Sequence, residues 1–344
     1  MYRLHEHFSS IYMIQYYLYD YSYGFIKRGL IGTIMNYVPI KINERFVITF
    51  NKLLLISLLF ILCKILDKIN FKDKIIDYLI ISCFFLCPAL AKNLWFDLKF
   101  DILGIIYCGL LIITSIKFGK ILLLFSPVLL FIHEGFLFMC IPSLISIAML
   151  RQIITLKKDW IFITLLLITY LAIIILIKNY GSIYISDYDD YLFYIKGKID
   201  SSIRNDDIIF EKNLITGNQI QDIRKSISYN FSHTIFWPLG IGILFSIYIF
   251  LNNISQLYEI NLSKYFYNIL FPIIFNFLMF FLGWDTLRWF SNMSLYMFLI
   301  FMTIFLVNEH KTSAKIDLLN NKIYFLFFLL IAYLPFNYLG VMNP

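Results

Sequence analysis

The sequence predicts an all-α fold, a polytopic transmembrane helical bundle, and three observations carry that prediction. Of the 344 residues, 60% are hydrophobic and only 15% charged, with a mean hydropathy of +0.76. Apolar runs of membrane-spanning length recur along the whole chain. Gly and Pro are sparse, and no period-2 alternation supports a β-barrel. The expectation is one integral membrane domain over residues 1–344, with about 9–11 membrane segments.

In chain order, residues 1–45 mix aromatic and polar side chains and are expected to form an external or interfacial segment. The apolar stretch Leu30 to Ile40 is too short to span and should stop near Pro39. Spans are expected at about 46–66, 76–94, 102–117, 160–178, 234–252, 265–283, 292–307 and 322–340. The run Ile121–Leu150 is different. As one helix it would be about 45 Å long, against a hydrocarbon core of about 30 Å. It also carries His133-Glu134-Gly135 at its centre, with Pro127 and Pro142 on either side.

Charge sets the expected sides. Lysines and arginines collect in the loops 64–74, 117–120, 151–159 and 308–322, which the positive-inside rule makes cytoplasmic. Loops 117–120 and 151–159 then share a side, so 121–150 should be a hairpin of two short half-spans with His133-Glu134 at its external apex. The N-terminal segment, Asn93–Asp101, the long hydrophilic loop 179–232 and Trp284–Asn292 fall outside. An external N-terminal segment requires either that residues 8–25 insert partly or that a helix precedes them in the natural chain. The formal net charge of +7 is explained by these loops without invoking nucleic acid. No cleavable signal peptide is evident.

The chemistry-bearing stretches all map to the external side. In Trp284-Asp285-Thr286-Leu287-Arg288-Trp289, Asp285 and Arg288 share a helical face; a self-neutralising interfacial anchor is the plain alternative. The stretch Asp20 to Gly29 offers Lys27 and Arg28 as phosphate-binding charge between two glycines, or else a basic anchor. Trp95, Asp97 and Asp101 have the residue types that stack on and hydrogen-bond to sugars, although Asp101 also suits the cap of a helix starting near Ile102. His133 and Glu134 are flanked by apolar sequence, and an ionised group there needs a partner or a function. The long loop carries Asp187, Asp189, Asp190, Lys196, Lys198, Arg204, Arg224 and Lys225, mostly as solvated surface; the acidic group lacks calcium-loop spacing.

Several classes lose support. There is no Walker motif, no Gly-rich dinucleotide turn, no nucleophile elbow and no matching half-repeat of a secondary transporter. The five cysteines, Cys63, Cys83, Cys87, Cys108 and Cys140, all lie in apolar runs and lack metal-ligand spacing. No metal and no cofactor is expected.

Many spans, one large external loop containing Arg, and external acidic and basic motifs together resemble Wzy-type O-antigen polymerases and, more broadly, GT-C glycosyltransferases. The resemblance covers the layout of most of the chain and only the short stretches quoted above. It implies a GT-C-like bundle in the bacterial inner membrane that polymerises polyprenyl-diphosphate-linked oligosaccharide repeats by inverting glycosyl transfer. Asp20, Asp97, Glu134 or Asp285 would supply the base, and Arg28, Arg288 and Arg224 would bind the diphosphate. Trp95, Trp284 and Trp289 would line the sugar site, with Lys27 and His133 as further substrate contacts. Membrane lipid and a chain-length regulator are the implied partners. The alternatives are a single-sugar GT-C transferase using a polyprenyl-phosphate sugar, and a flippase or transporter of lipid-linked glycan. The absence of an initial span before the first external loop departs from both families.

Overall fold

The computed structural model describes residues 14–38, 41–71, 76, 80–81, 100–183, 187–199, 228, 236–282 and 286–308. Among them the chain is helical, and the one extended pairing is an isolated parallel bridge between Ile42 and Ile199. The helices are α1 Gly29–Met35, α2 Glu44–Ile69, α3 Asp101–Ile113, α4 Ile116–Phe125, α5 Leu129–Ile132, α6 Phe136–Met139 and α7 Ile141–Leu150. They continue with α8 Trp160–Tyr180, α9 Tyr188–Lys196, α10 Phe236–Leu257, α11 Phe266–Phe277, α12 Met279–Leu282 and α13 Thr286–Val307. The spans expected at 76–94 and 322–340 lie almost wholly outside the described residues.

Local chemistry explains the ends of α2. The Asn43 side chain accepts from the Phe46 N–H at the first turn, where Glu44 also meets the positive end of the helix. Asn70 stops the helix with φ +51° and donates its N–H to the Leu66 carbonyl, a left-handed cap that Asn tolerates better than most residues.

Three helices among the described residues, Glu44–Ile69, Trp160–Tyr180 and Trp289–Val307, are long and apolar enough to cross a membrane. They occupy different depths in the bundle. Of the most apolar 18-residue window, 89% is buried in Trp289–Val307 but only 17% in Trp160–Tyr180. Helix α13 is therefore the central post, packed by α2, α3, α7, α10 and α11. Helix α8 lies at the periphery and turns Ile161, Leu165, Ile168 and Leu171 outward. An apolar face that size is unfavourable in water and suits a lipid surround.

The run from Ile116 to Leu150 reverses. A Cβ on Gly119 would lie 2.6 Å from the Ile153 Cδ1, so the residues that open the run touch those that close it. Lys120 Nζ donates to Asp159 Oδ1 at 2.6 Å, and Arg151 Nη1 donates to the Leu111 and Thr114 carbonyls at 2.7 and 2.6 Å. Between these ends the helix breaks at His133, which is extended with φ −156° and ψ 116°.

A second, smaller core holds the N-terminal segment. Tyr16, Tyr17, Leu18 and Tyr19 are buried with Ile26, Val47, Phe100, Tyr191 and Ile195. Tyr17 meets Phe46, Phe50 and Phe100 in edge-to-face geometry. Gly32 of α1 lies so close to the Tyr19 carbonyl that a Cβ there would overlap the oxygen. These tyrosines are thus packing residues.

Candidate functional site

Two short segments far apart in sequence meet beside the break at His133. The Gly135 N–H donates to His133 Nδ1 at 2.9 Å, so in the neutral ring the proton is on Nε2. A Cβ on Gly135 would come within 2.8 Å of the His133 ring, which explains the glycine. With the helix interrupted there, Glu134 turns to Arg28. Arg28 Nη2 donates to Glu134 Oε1 at 2.8 Å and Arg28 Nε to Oε2 at 3.1 Å, a two-point pair. The side chains retain 14% and 26% exposure, so the pair is shielded but reachable.

Arg28 adopts a left-handed backbone, φ +61° and ψ 14°, immediately before α1. A non-glycine residue gives up about 1 kcal/mol to do so, and such outliers gather at functional positions. The guanidinium also lies 5.3 Å from the centre of the Tyr16 ring. Next to it, Lys27 is only 7% exposed. Its N–H donates to the Gly181 carbonyl at 3.3 Å, tying the turn to the end of α8. The Lys27 side chain forms no ion pair or hydrogen bond among the described residues.

Electrostatics follow from this crowding. Burial pushes the Glu134 carboxyl up, yet the Arg28 guanidinium, the nearby His133 and the hydrogen bonds reverse that and hold it well below the usual carboxylate range. Burial pulls the Lys27 ammonium down; the Glu134 charge opposes this and the Arg28 charge adds to it. Among the described residues the group holds two basic side chains, Lys27 and Arg28, to one carboxylate, Glu134.

Asp20 sits in an adjoining network and is fully buried. Oδ1 accepts from the Ser22 N–H at 2.9 Å, and Oδ2 from Asn36 Nδ2 at 2.6 Å and the Tyr194 hydroxyl at 3.3 Å. The Lys198 ammonium completes the set through Oδ2 and also donates to Asn36 Oδ1 at 2.7 Å. The Asp20 N–H donates to the Tyr191 hydroxyl at 3.1 Å. Burial alone would raise this carboxyl, and the bonds from Lys198, Asn36 and Ser22 outweigh it. Asp20 thus fastens α9 to the N-terminal segment; its side chain is fully enclosed where that of Glu134 keeps 26% exposure, so it is the less reachable of the two as a base.

Further in, Asp101 is the first residue of α3, not its cap. Phe100 takes the cap position without a side-chain bond, and Asp101 Oδ2 accepts from Asn292 Nδ2 of α13 at 3.0 Å. Asn292 Nδ2 also lies 3.1 Å from Met139 Sδ, so α3, α6 and α13 share one buried polar point. Trp289 is buried at the start of α13. Trp95, Asp97, Arg224, Trp284 and Asp285 lie outside the described residues, as does the side chain of Arg288. Among the described residues no group of three His, Cys, Asp or Glu is placed to hold a metal ion.

Sequence reasoning missed Asn36, Tyr191, Tyr194 and Asn292, and took Lys198 for solvated surface. No spacing relates these residues to Asp20 or Asp101; a buried carboxylate requires donors, but their identity is settled by packing.

Fold and site define a class: an all-α bundle with membrane-length helices, whose ionic cluster closes over the break in a reversed apolar run. No protein-family model matches the chain, and no curated protein or solved structure is significantly similar to it.

Proposed function

We propose that this chain is a multi-pass protein of the bacterial inner membrane that polymerises polyprenyl-diphosphate-linked oligosaccharide repeats at the external face. The observation that supports it best is the Arg28–Glu134 pair, held across 106 positions at a helix break with Lys27 and His133 beside it. A lipid-linked donor presents its diphosphate near the membrane surface, where basic side chains with limited hydration bind it strongly. In the reaction, an acceptor hydroxyl oxygen attacks the anomeric carbon as its proton passes to a carboxylate. The bond from that carbon to the diphosphate oxygen breaks, and the leaving group takes the electron pair, with inversion. Lys27 and Arg28 would stabilise the charge growing on the diphosphate. Glu134 is the candidate base best placed for this among the described residues, and Asp97 and Asp285 remain its competitors.

The test is the surface glycan of the host after deletion of the gene and complementation with variants. Loss of long chains with single repeats still displayed supports the polymerase. Loss of all repeats overturns it in favour of transport or synthesis, and an unchanged glycan profile removes the link to glycan altogether. Arg28→Ala should behave as the deletion while accumulating in the membrane.

A further inference from the structure

We propose that Glu134 is an internal competitor for the phosphate-binding charge of Arg28, so that an arriving phosphate anion takes over the guanidinium and thereby frees Glu134. This rests on the reading of Lys27 and Arg28 as a diphosphate site. Three observations point the same way. Arg28 offers its two-point face to Glu134, the geometry with which a guanidinium also grips a phosphate. Lys27, more than nine-tenths buried, has no ion pair among the described residues, so a second basic side chain lies next to that grip. The left-handed backbone of Arg28, followed by Gly29, presents the side chain from a turn and not from within a helix, a strained conformation of the kind that gathers at ligand sites.

The consequence is a coupling of binding to basicity. While paired, Glu134 is a weak base, since Arg28 stabilises its ionised form. Once the phosphate holds Arg28, the carboxylate is left in a poorly solvated position and becomes a better proton acceptor for the acceptor hydroxyl. The base would be switched on only when donor is bound. Hydroxyl activation in the empty site would be suppressed.

The full chain in phosphatidylcholine nanodiscs, titrated with inorganic pyrophosphate, tests this. Glu134→Gln should tighten pyrophosphate binding by about tenfold, because the pair no longer has to be broken. Removing a negative charge would help any nearby anion, so the same substitution is repeated in an Arg28→Ala background. There the gain should shrink several-fold; an equal gain in both backgrounds overturns the exchange. So does absence of pyrophosphate binding by the unmodified chain, or weaker binding by Glu134→Gln with an unchanged thermal transition. Should Glu134→Gln fail to fold, Glu134→Asp serves in its place, with a smaller gain in the same direction. Adding phosphatidylglycerol separates the two sources of phosphate. A retained signal assigns the site to a soluble or lipid-linked diphosphate, and a lost one to a lipid headgroup; the exchange stands in both. A normal glycan profile after gene deletion would end the polymerase reading without touching this cycle.

Discussion

Arg28 and Glu134, 106 positions apart, form a two-point ion pair that joins the N-terminal turn to the break in the reversed apolar run. The pair contributes to both structure and the proposed chemistry, and a double-mutant cycle separates the two. Arg28→Ala leaves Glu134 shielded without its guanidinium and should cost about 3 kcal/mol. Glu134→Ala leaves the guanidinium unpaired in turn, and Arg28→Ala combined with Glu134→Ala removes both charges and should cost less than the sum of the two single changes. Thermal unfolding of the four proteins in one detergent checks this. Strict additivity would show that the pair carries no coupling.

Acid should loosen the N-terminal segment. The Asp20 carboxyl lies below its ordinary value in the folded chain, so its contribution is complete above the unfolded value near 3.9 and is lost as pH falls through the folded one. Asp20→Asn should therefore lower stability at neutral pH and flatten the decline on acidification. Proteolysis within residues 14–38, followed from neutral pH downward, reads this. An unchanged pH profile in Asp20→Asn would remove Asp20 as the fastener.

Gly32→Ala tests the second core without touching charge. The added methyl would overlap the Tyr19 carbonyl oxygen, a backbone atom that cannot turn aside. A loss of about 1–3 kcal/mol is expected, as for other overpacked positions. Gly24→Ser is the matched control for space, since nothing lies within 4 Å of a Cβ there, although its φ of +106° adds backbone strain. Equal stability of Gly32→Ala and the unmodified chain would contradict the packing of α1 on Tyr19.

Reversal of the run 116–150 predicts that Lys117 and Lys157 lie on one side of the membrane. Single cysteines at these exposed positions, in a chain with its native cysteines replaced, should both resist an impermeant thiol reagent added outside intact cells. Modification of either from outside would reverse or break the proposed topology.

By itself the sequence determined the class and most of the helices. Apolar runs near 46–66, 160–178 and 292–307 became Glu44–Ile69, Trp160–Tyr180 and Thr286–Val307, because the length of an apolar run is a local property. It also located the break at His133-Glu134-Gly135, since two adjacent polar residues followed by glycine interrupt a run too long for one span. Which helix forms the centre came only with the structure: the more apolar α8, mean hydropathy 2.9 against 1.9, is peripheral, while α13, which buries Ser291, Asn292, Ser294 and Thr303, is nearly enclosed. The partners were not legible either. That Glu134 takes Arg28, Asp20 takes Lys198 and Asp101 takes Asn292 depends on which segments the fold brings within 3 Å or so. A buried carboxylate announces in the sequence that it needs a donor, but only tertiary packing chooses the donor.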